Sequence, residues 1–210
     1  MSALAILMIV IAYLIGSISS AVLICRAFRL DDPRLRGSGN PGATNVYRLG
    51  GPVPAGLTLF ADVLKGMLPV WAAYYLAIPP IALGLVAVAA CLGHIYPLYF
   101  KFQGGKAVAT ALGAMFPVAS EMAILLIVTW LLVFWVSRVS SLAALITVAL
   151  SPVYAWFIKP QYTIPAIMLA ALIIWRHRAN IVRLWKGTEV GFPGAKRSTK
   201  KSKPNKTTSE

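Results

Sequence analysis

Residues Gly37 to Arg48 combine the residue types that bind phosphate. The segment reads Gly-Ser-Gly-Asn-Pro-Gly-Ala-Thr-Asn-Val-Tyr-Arg and interrupts a very apolar chain. Its closely spaced glycines free the backbone to present consecutive N–H groups, and such groups can surround phosphate oxygens. Side chains that could add hydrogen bonds or charge are Ser38, Asn40, Thr44 and Arg48. The segment is therefore a candidate anion site, and an ordinary Gly/Pro turn between two membrane helices is the alternative.

A second glycine pair precedes a basic residue, in the order Gly104-Gly105-Lys106, and Thr110 follows. If a helix begins after Lys106, backbone N–H groups, the positive end of the helix dipole and an ammonium group converge on one anion. The spacing is not that of a Walker P-loop, which requires G-x-x-x-x-G-K-[ST]. The segment therefore predicts a phosphate site of another kind.

A third polar cluster follows the last apolar stretch. It contains Arg176, His177, Arg178, Asn180, Arg183 and Glu189. A cationic collar at the membrane surface explains the arginines, and Arg176 could be no more than that. Binding of lipid headgroups requires neither His177 nor Asn180, so these two residues are the stronger candidates for a functional site.

Three ionisable residues, Asp62, Lys65 and His94, lie within apolar segments. Asp62 and Lys65 are three residues apart and share one helical face, and ionisable residues in a membrane span indicate function because their burial is costly. Simpler explanations are also open. Asp62 and Lys65 could neutralise each other, and His94 could be a buried histidine with satisfied hydrogen bonds. Lys65 could also point its ammonium group toward residues 37–48.

The composition indicates a polytopic helical membrane protein. Of the 210 residues, 59% are hydrophobic and 12% are charged, and the mean hydropathy is +0.75. A bilayer core of roughly 30 Å requires about 20 apolar residues per helix, and the apolar stretches leave no room for a separate soluble domain. The expected spans are residues 3–24, 53–76, 81–100, 107–119, 122–136, 142–158 and 164–175.

The distribution of basic residues predicts the topology. The fourth span is too short for the bilayer core, so it is either a tilted short helix or a re-entrant one. If it crosses, all of the 20 lysines and arginines except Lys65 and Lys159 lie in cytoplasmic loops or the tail, as the positive-inside rule requires. We therefore expect an all-α protein with seven transmembrane helices, the N-terminus outside and the C-terminus in the cytoplasm.

The last 20 residues differ in composition from the rest of the chain. They are rich in Lys, Ser and Thr, which cannot build a core and predict a disordered segment near the anionic membrane surface. We expect one transmembrane domain at residues 1–190 and a basic cytoplasmic tail at 191–210. Cys25 and Cys91 lack Cys-x-x-Cys or Cys/His ligand spacing, so we expect buried thiols and no metal or other cofactor.

Taken together, the motifs resemble those of the bacterial acyl-phosphate:glycerol-3-phosphate acyltransferases. After the segment 37–48 come Asp-x-x-Lys-Gly at 62–66, Gly-His at 93–94, Gly-Gly-Lys-x-Val-Ala-Thr at 104–110 and His-Arg-x-Asn-Ile-x-Arg-Leu at 177–184. They follow the family's order along nearly the whole chain, and the first motif is highly specific. The resemblance implies a seven-helix enzyme of the bacterial inner membrane whose site faces the cytoplasm.

The resemblance also implies a reaction, the transfer of a fatty acyl group from acyl phosphate to the 1-hydroxyl of glycerol 3-phosphate. The products are lysophosphatidate and phosphate, in the first step of phospholipid synthesis. With the clusters above, it gives a catalytic set of Ser38, Arg48, Lys106, His177 and Asn180. The residues expected to bind substrate or phosphate are Gly39, Asn40, Gly42, Thr44, Asn45, Lys65, His94, Gly104, Gly105, Thr110, Ser141 and Arg178. We expect a monomer in contact with membrane lipids and no nucleic-acid partner.

One position departs from the family pattern. The motif at 104–110 usually reads Gly-Gly-Lys-Gly-Val-Ala-Thr, and here Ala107 replaces the last glycine. If the position requires a positive φ or a close approach to phosphate, the methyl group hinders it. If the position lies within a helix, alanine is harmless. The sequence leaves both alternatives open.

Acyl phosphate is an activated donor, so the implied reaction needs no covalent intermediate. The enzyme must orient the hydroxyl group and stabilise charge on the carbonyl oxygen and the leaving phosphate. The His-x-x-x-x-Asp pair of other glycerolipid acyltransferases is absent, because tyrosine stands five residues after His94 and valine five residues after His177. We therefore expect a substrate phosphate to accept the proton, with Ser38 and His177 as positioning groups.

Two other functions are compatible with basic, glycine-rich motifs in a membrane protein. A transporter for a phosphorylated solute also needs intramembrane charges, but it predicts internal repeats and broken helices in matching positions of two halves. The sequence contains no such repeat. A non-catalytic scaffold predicts polar residues that are scattered without regard to phosphate binding.

Overall fold

The structure, a computed structural model, describes residues 1–192, so the tail expected at 191–210 lies outside the described residues from position 193 onward. The described chain consists of helices and loops and contains no strand. Its α-helices are α1 (Ala3–Gly16), α2 (Ser20–Ala27), α3 (Ala43–Gly50), α4 (Pro52–Tyr75), α5 (Pro80–Ile95), α6 (Val108–Met115), α7 (Ser120–Ser137), α8 (Ser140–Ile158), α9 (Thr163–Arg176) and α10 (Arg178–Trp185). A short 3-10 turn at Leu98–Phe100 follows α5, and a second one at Pro160–Tyr162 precedes α9.

Within residues 1–192, five helical stretches are long and apolar enough to cross a membrane. They are Ala3–Ala27, which combines α1 and α2, Pro52–Tyr75, Pro80–Phe100, Ser120–Ser137 and Ser140–Ile158. This result confirms the prediction of an all-α chain with membrane-spanning helices. The helices α6 and α9 have 8 and 14 residues and are shorter than the roughly 20 residues that a bilayer core requires. The count of seven spans therefore stays a prediction.

The outer faces of the long helices are apolar. Phe60 of α4, Leu131 and Trp135 of α7 and Phe157 of α8 are all more than half exposed. Large apolar side chains exposed in such numbers indicate a contact with other molecules or with membrane lipid. These faces therefore suit the hydrocarbon core of a bilayer.

The first apolar stretch is two helices rather than one. The sequence predicts a continuous helix over residues 3–24, but the helix stops at Gly16 and resumes at Ser20. At the break, the carbonyl oxygen of Ile18 accepts a 2.9 Å hydrogen bond from the ammonium group of Lys65. Lipid offers no hydrogen-bond donors, so a break within a membrane helix needs a partner from the protein. The expectation of a continuous first helix is corrected accordingly.

Glycines allow two pairs of helices to cross in direct contact. A Cβ on Gly93 of α5 would lie 2.2 Å from the carbonyl oxygen of Tyr13 in α1, and one on Gly66 of α4 would lie 2.0 Å from that of Thr110 in α6. Close backbone packing is a main source of helix association in lipid, where the hydrophobic effect between helices is weak. These crossings fix the end of α5 and the beginning of α6, and they thereby position the loop between the two helices.

Candidate active site

Three polar segments meet at one end of the helix bundle. We call residues 28–42 the first loop, residues 101–107 the glycine loop and residues 177–192 the C-terminal segment. Arg34 of the first loop donates a 3.3 Å hydrogen bond to the carbonyl of Phe100, next to the glycine loop. Arg48 of α3 donates to the carbonyl of Val190 at 3.3 Å. The motifs that were separate in the sequence are therefore neighbours in space.

Asn45 gives the first loop its shape. Its buried side chain accepts a 2.9 Å hydrogen bond from the backbone N–H of Ser38 and donates to the carbonyls of Pro33 and Arg36 at 2.8 and 3.0 Å. Gly37 makes this path possible with a φ of +62°, and a Cβ there would lie 2.2 Å from the side-chain oxygen of Asn45. The sequence suggests Asn45 as a phosphate ligand, whereas these contacts make it a positioning residue for Ser38.

The remaining polar residues of this region leave their side chains available to a ligand. Within residues 1–192, the side chains of Ser38, Asn40 and Thr44 form no hydrogen bond with the protein. Ser38 and Gly39 are exposed, and Asn40, Gly42 and Thr44 are half-buried. These five residues can therefore contact a substrate that approaches the first loop.

The glycine loop is fixed from two sides. The backbone N–H of Gly105 donates to the carbonyl of His94 at 3.1 Å, and the Arg176 guanidinium donates to the carbonyls of Gly105 and Gly104 at 3.0 and 3.1 Å. Within the described part of the chain, the N–H groups of Lys106 and Ala107 have no acceptor in the protein. Free backbone donors therefore remain at the start of α6 beside the Lys106 ammonium, an arrangement that suits an anion.

We expect the substitution Gly104→Ala to disrupt the glycine loop. A Cβ at this position would lie 2.0 Å from the carbonyl oxygen of His94 and 2.5 Å from that of Ile95, and overpacking against backbone costs about 1–3 kcal/mol. The thermal midpoint in detergent should therefore fall by roughly 2–12 °C. Gly56→Ala in α4 is the matched control, because no other part of residues 1–192 lies within 4 Å of a Cβ there. An equal loss in both variants would contradict the steric explanation.

Lys106, which is half-buried, and His177, which is buried, share an electropositive environment. Burial lowers the pKa of Lys106 to about 8, and three neighbouring arginines add to this effect while Glu189 opposes it. Burial and the Lys106 ammonium lower the pKa of His177 to about 4. Nδ1 of His177 lies 2.8 Å from the carbonyl oxygen of Ile173, and because a carbonyl only accepts, Nδ1 carries the proton. At neutral pH the imidazole is therefore uncharged and Nε2 is a hydrogen-bond acceptor.

Glu189 links the C-terminal segment to α8 and α10. Its carboxylate accepts hydrogen bonds from Ser141 Oγ at 2.7 Å, from Arg183 Nε at 2.6 Å and from the side-chain amide of Asn180. Burial raises the pKa of Glu189, but these hydrogen bonds outweigh burial, and the pKa lies below its ordinary value. Glu189 is therefore ionised at neutral pH and orients Ser141 and Asn180, two of the predicted site residues.

His94 lies next to the glycine loop, and Lys65 shares with it the Asp62 carboxylate. The ammonium group of Lys65 is 2.7 Å from the Asp62 carboxylate, which also accepts from Ser20 Oγ at 2.9 Å, and Nδ1 of His94 is 3.5 Å from the same oxygen. A Cβ on Gly105 would lie 2.2 Å from Nε2 of His94, so the imidazole packs directly against the loop. The sequence suggests both residues as substrate ligands, whereas Lys65 contacts Asp62 and the carbonyl of Ile18, and His94 packs against the glycine loop. The self-neutralising pair is the arrangement observed.

Two further residues predicted to bind substrate, Thr110 and Arg178, contact other parts of the protein. Thr110 is fully buried, its backbone packs against Gly66 of α4, and its hydroxyl group has no partner within residues 1–192. Arg178 is exposed, and its guanidinium lies 4.7 Å from the centre of the Trp175 ring, a cation–π contact. The role of these two residues as substrate ligands stays a prediction.

An apolar cavity lies next to this junction. It is partly open, has a volume of about 60 Å³ and is lined by residues of α6, α7, α8 and α9, including Met115, Trp130 and Leu169. Val108 in its wall is two residues from Lys106, and Ile173 in its wall binds His177 through its carbonyl. A half-buried cationic junction beside an apolar cavity suits a ligand that has both a phosphate group and a hydrocarbon chain.

Comparison with known proteins places the chain in a family. The family model described as glycerol-3-phosphate acyltransferase matches residues 6–187. The chain belongs to this family. The glycerol-3-phosphate acyltransferase of Idiomarina loihiensis is 72% identical over 91% of this chain and 98% of its own. That of Pseudoalteromonas translucida is 61% identical over 89% of this chain and 92% of its own.

Solved structures of a glycerol-3-phosphate acyltransferase have the same fold. The crystal structure of PlsY (YgiH), described as an integral membrane glycerol 3-phosphate acyltransferase in the glycerol 3-phosphate form, superimposes with a TM-score of 0.84. It is 39% identical and covers 90% of this chain and 95% of its own. A second structure of that protein, the lysophosphatidic acid form, gives a TM-score of 0.83. The family resemblance inferred from the five motifs is thus confirmed, and the chain is an integral membrane acyltransferase.

Ala107, where the acyltransferase pattern has glycine, adopts a left-handed backbone conformation with a φ of +61°. It precedes α6 and is not a residue within the helix. For alanine this conformation costs roughly 1–2 kcal/mol. The first of the two alternatives, a position that requires a positive φ, is therefore the one observed.

Sequence reasoning includes Arg176 and Glu189 in the third polar cluster but does not count them among the site residues. Arg176 is explained from the sequence by a cationic collar, but its guanidinium binds the glycine loop. Glu189 is one of six acidic residues in a chain of net charge +14. A single acid among basic residues next to a polar motif is the signal that could have identified Glu189. No comparable signal separates Arg176 from its neighbouring arginines.

Proposed function

We propose that the protein transfers an acyl group from acyl phosphate to the 1-hydroxyl of glycerol 3-phosphate and releases 1-acylglycerol 3-phosphate and inorganic phosphate. The observation that carries the proposal is the contact between the cationic junction and the apolar cavity in a chain of this family. Both substrates carry phosphate, and the donor and the product carry an acyl chain. The glycerol 3-phosphate and lysophosphatidic acid forms of the similar PlsY support the proposed acceptor and product.

Each substrate group has a counterpart in the site. One phosphate would bind the free N–H groups of the glycine loop and Lys106, and the other would bind the first loop with Ser38 and Arg48. The first carbons of the acyl chain would enter the apolar cavity between α6 and α9, and the rest of the chain would leave through its open side. In this arrangement the acyl carbonyl carbon would lie between the two phosphates, near His177 and Asn180.

The reaction is a direct displacement at the acyl carbonyl carbon. The 1-hydroxyl oxygen forms a bond to this carbon, and the bond from the carbon to the phosphate oxygen breaks, so that inorganic phosphate leaves with the electron pair. Lys106, Arg48 and the loop N–H groups stabilise the negative charge on the carbonyl oxygen and the leaving phosphate. A substrate phosphate accepts the hydroxyl proton, and Nε2 of the uncharged His177 accepts a hydrogen bond that orients the hydroxyl group.

The pH dependence of kcat/KM identifies the proton acceptor. A substrate phosphate has a second pKa near 6, so kcat/KM is expected to fall as the pH drops through about 6. His177, with a pKa of about 4, would as a base sustain activity to much lower pH. An acceptor analogue with a phosphonate in place of the phosphate has a higher second pKa and should move the acidic limb upward. A limb near pH 4 that is independent of the acceptor would identify the imidazole as the base.

We also propose how the protein lies in the membrane. Seven spans, with α6 and α9 as short crossings, place the N-terminus outside and the junction in the cytoplasm of a bacterial cell, at the inner membrane. The positive-inside rule supports this orientation, because the arginines of the first loop and the C-terminal segment lie at the junction, away from Lys159. We propose that a single domain at residues 1–190 acts as a monomer without a cofactor.

The deciding experiment measures inorganic phosphate released by the purified protein. Release from acyl phosphate is expected only when glycerol 3-phosphate is present, and acyl thioesters are expected to give no product. Acyl transfer from thioesters would overturn the proposed donor. Uptake of a phosphorylated solute into vesicles without acyl transfer would favour the transporter instead.

A further inference from the structure

We infer that Arg176 is a positioning residue for the proposed reaction, because it sets the orientation of the glycine loop and couples this loop to His177. The inference rests on the proposed function. The guanidinium donates from Nε to the carbonyl of Gly105 at 3.0 Å and from Nη2 to the carbonyl of Gly104 at 3.1 Å. A single rigid, planar group thus binds two adjacent carbonyls.

These hydrogen bonds determine where the loop presents its N–H groups. In a trans peptide unit the C=O and the N–H point in opposite directions, so the two bound carbonyls direct the N–H groups of Gly105 and Lys106 away from Arg176. The Gly105 N–H binds the carbonyl of His94 at 3.1 Å, and the Lys106 N–H is left for a ligand. Glycine backbone has little conformational preference of its own, so without Arg176 the peptide units could rotate.

Arg176 also links two parts of the site that are distant in sequence. It is the last residue of α9 and directly precedes His177, while the residue it binds, Gly105, directly precedes Lys106. One side chain therefore spans 71 positions of the chain and fixes Lys106 relative to His177. A displacement of catalytic groups by about 1 Å can lower a rate about 100-fold, so this link affects the chemical step more than substrate affinity.

Two substitutions in the full chain test the inference. Lysine keeps the charge but cannot bind both carbonyls as a planar fork, and glutamine removes the charge as well. We expect kcat to fall about 100-fold in Arg176→Gln and about 10-fold in Arg176→Lys, with smaller changes in KM for either substrate. Lys186→Gln removes an exposed charge from the same segment and should leave kcat and KM unchanged.

Hydrogen exchange of residues 101–107 provides a readout that is independent of activity. Exchange in this segment should be faster in Arg176→Gln than in the unsubstituted protein, while exchange in α4 stays the same. If the proposed function is wrong, the unsubstituted protein releases no phosphate. The comparison of hydrogen exchange between the two proteins can still be made in that case. Unchanged exchange at 101–107, or faster exchange throughout the chain, would overturn the inference. A raised KM for one substrate at unchanged kcat would also overturn it, because Arg176 would then bind a substrate phosphate directly.

Discussion

Replacing Lys106 with glutamine is expected to lower kcat/KM for acyl transfer at least about 100-fold, because one preorganised donor at a developing negative charge contributes factors of that size. Lys106 follows the two buried glycines of the loop and lies close enough to His177 to lower the pKa of that residue. Lys106→Arg keeps the charge in a larger planar group and should restore only part of the rate. Phosphate release by the purified variants measures both effects.

The control for Lys106→Gln is Lys101→Gln, which replaces an exposed lysine of the same loop. This variant should keep kcat/KM close to that of the unsubstituted protein.

A pH profile of kcat/KM provides a second test of the role of Lys106. With a pKa of about 8, the Lys106 ammonium is lost as the pH rises through 8, so kcat/KM should decline above this pH. Arginine stays protonated, so the alkaline limb should disappear in Lys106→Arg. More than a tenth of the activity in Lys106→Gln, or an alkaline limb that persists in Lys106→Arg, would exclude this role.

The long helices could be predicted because the membrane imposes a simple rule on the sequence. An apolar stretch of about 20 residues must form a helix that satisfies its own backbone, and the span expected at 53–76 is observed at Pro52–Tyr75. The same rule does not detect α3 and α10, which have eight residues each and carry several polar side chains. It also misses the break after Gly16, which is stabilised by Lys65, a residue 47 positions from the carbonyl it binds.

The location of the site could be predicted, but the role of each polar residue could not. Phosphate binding requires glycines, backbone donors and cations, so composition alone marks the first loop, the glycine loop and the C-terminal segment. Whether a polar side chain faces a substrate or another residue depends on contacts between distant segments. The side-chain amide of Asn45 uses its hydrogen bonds on the backbone of the first loop, and His94 packs against Gly105. Neither contact leaves a periodic or local pattern in the sequence.

The second large effect is expected for Asp62→Asn, which removes the counter-ion of Lys65. The two side chains are only 4% and 6% exposed, so the Lys65 ammonium would remain buried without a negative partner. Breaking a buried ion pair in this way costs about 3–5 kcal/mol, which corresponds to a decrease of roughly 6–20 °C in the thermal midpoint in detergent. Because His94 packs between Asp62 and the glycine loop, acyl transfer should decrease as well.

Asp31→Asn is the matched control for Asp62→Asn, because Asp31 pairs with Arg36 at 3.3 Å but both side chains are 66% exposed. Exposed pairs contribute only about 0–1 kcal/mol, so this variant should barely change the thermal midpoint. Adding Lys65→Met to Asp62→Asn removes the unpaired charge and should recover much of the loss. Recovery should be incomplete, because the carbonyl of Ile18 then lacks its donor. An Asp62→Asn variant as stable as Asp31→Asn, or a double variant less stable than Asp62→Asn, would contradict the stabilising role of the buried pair.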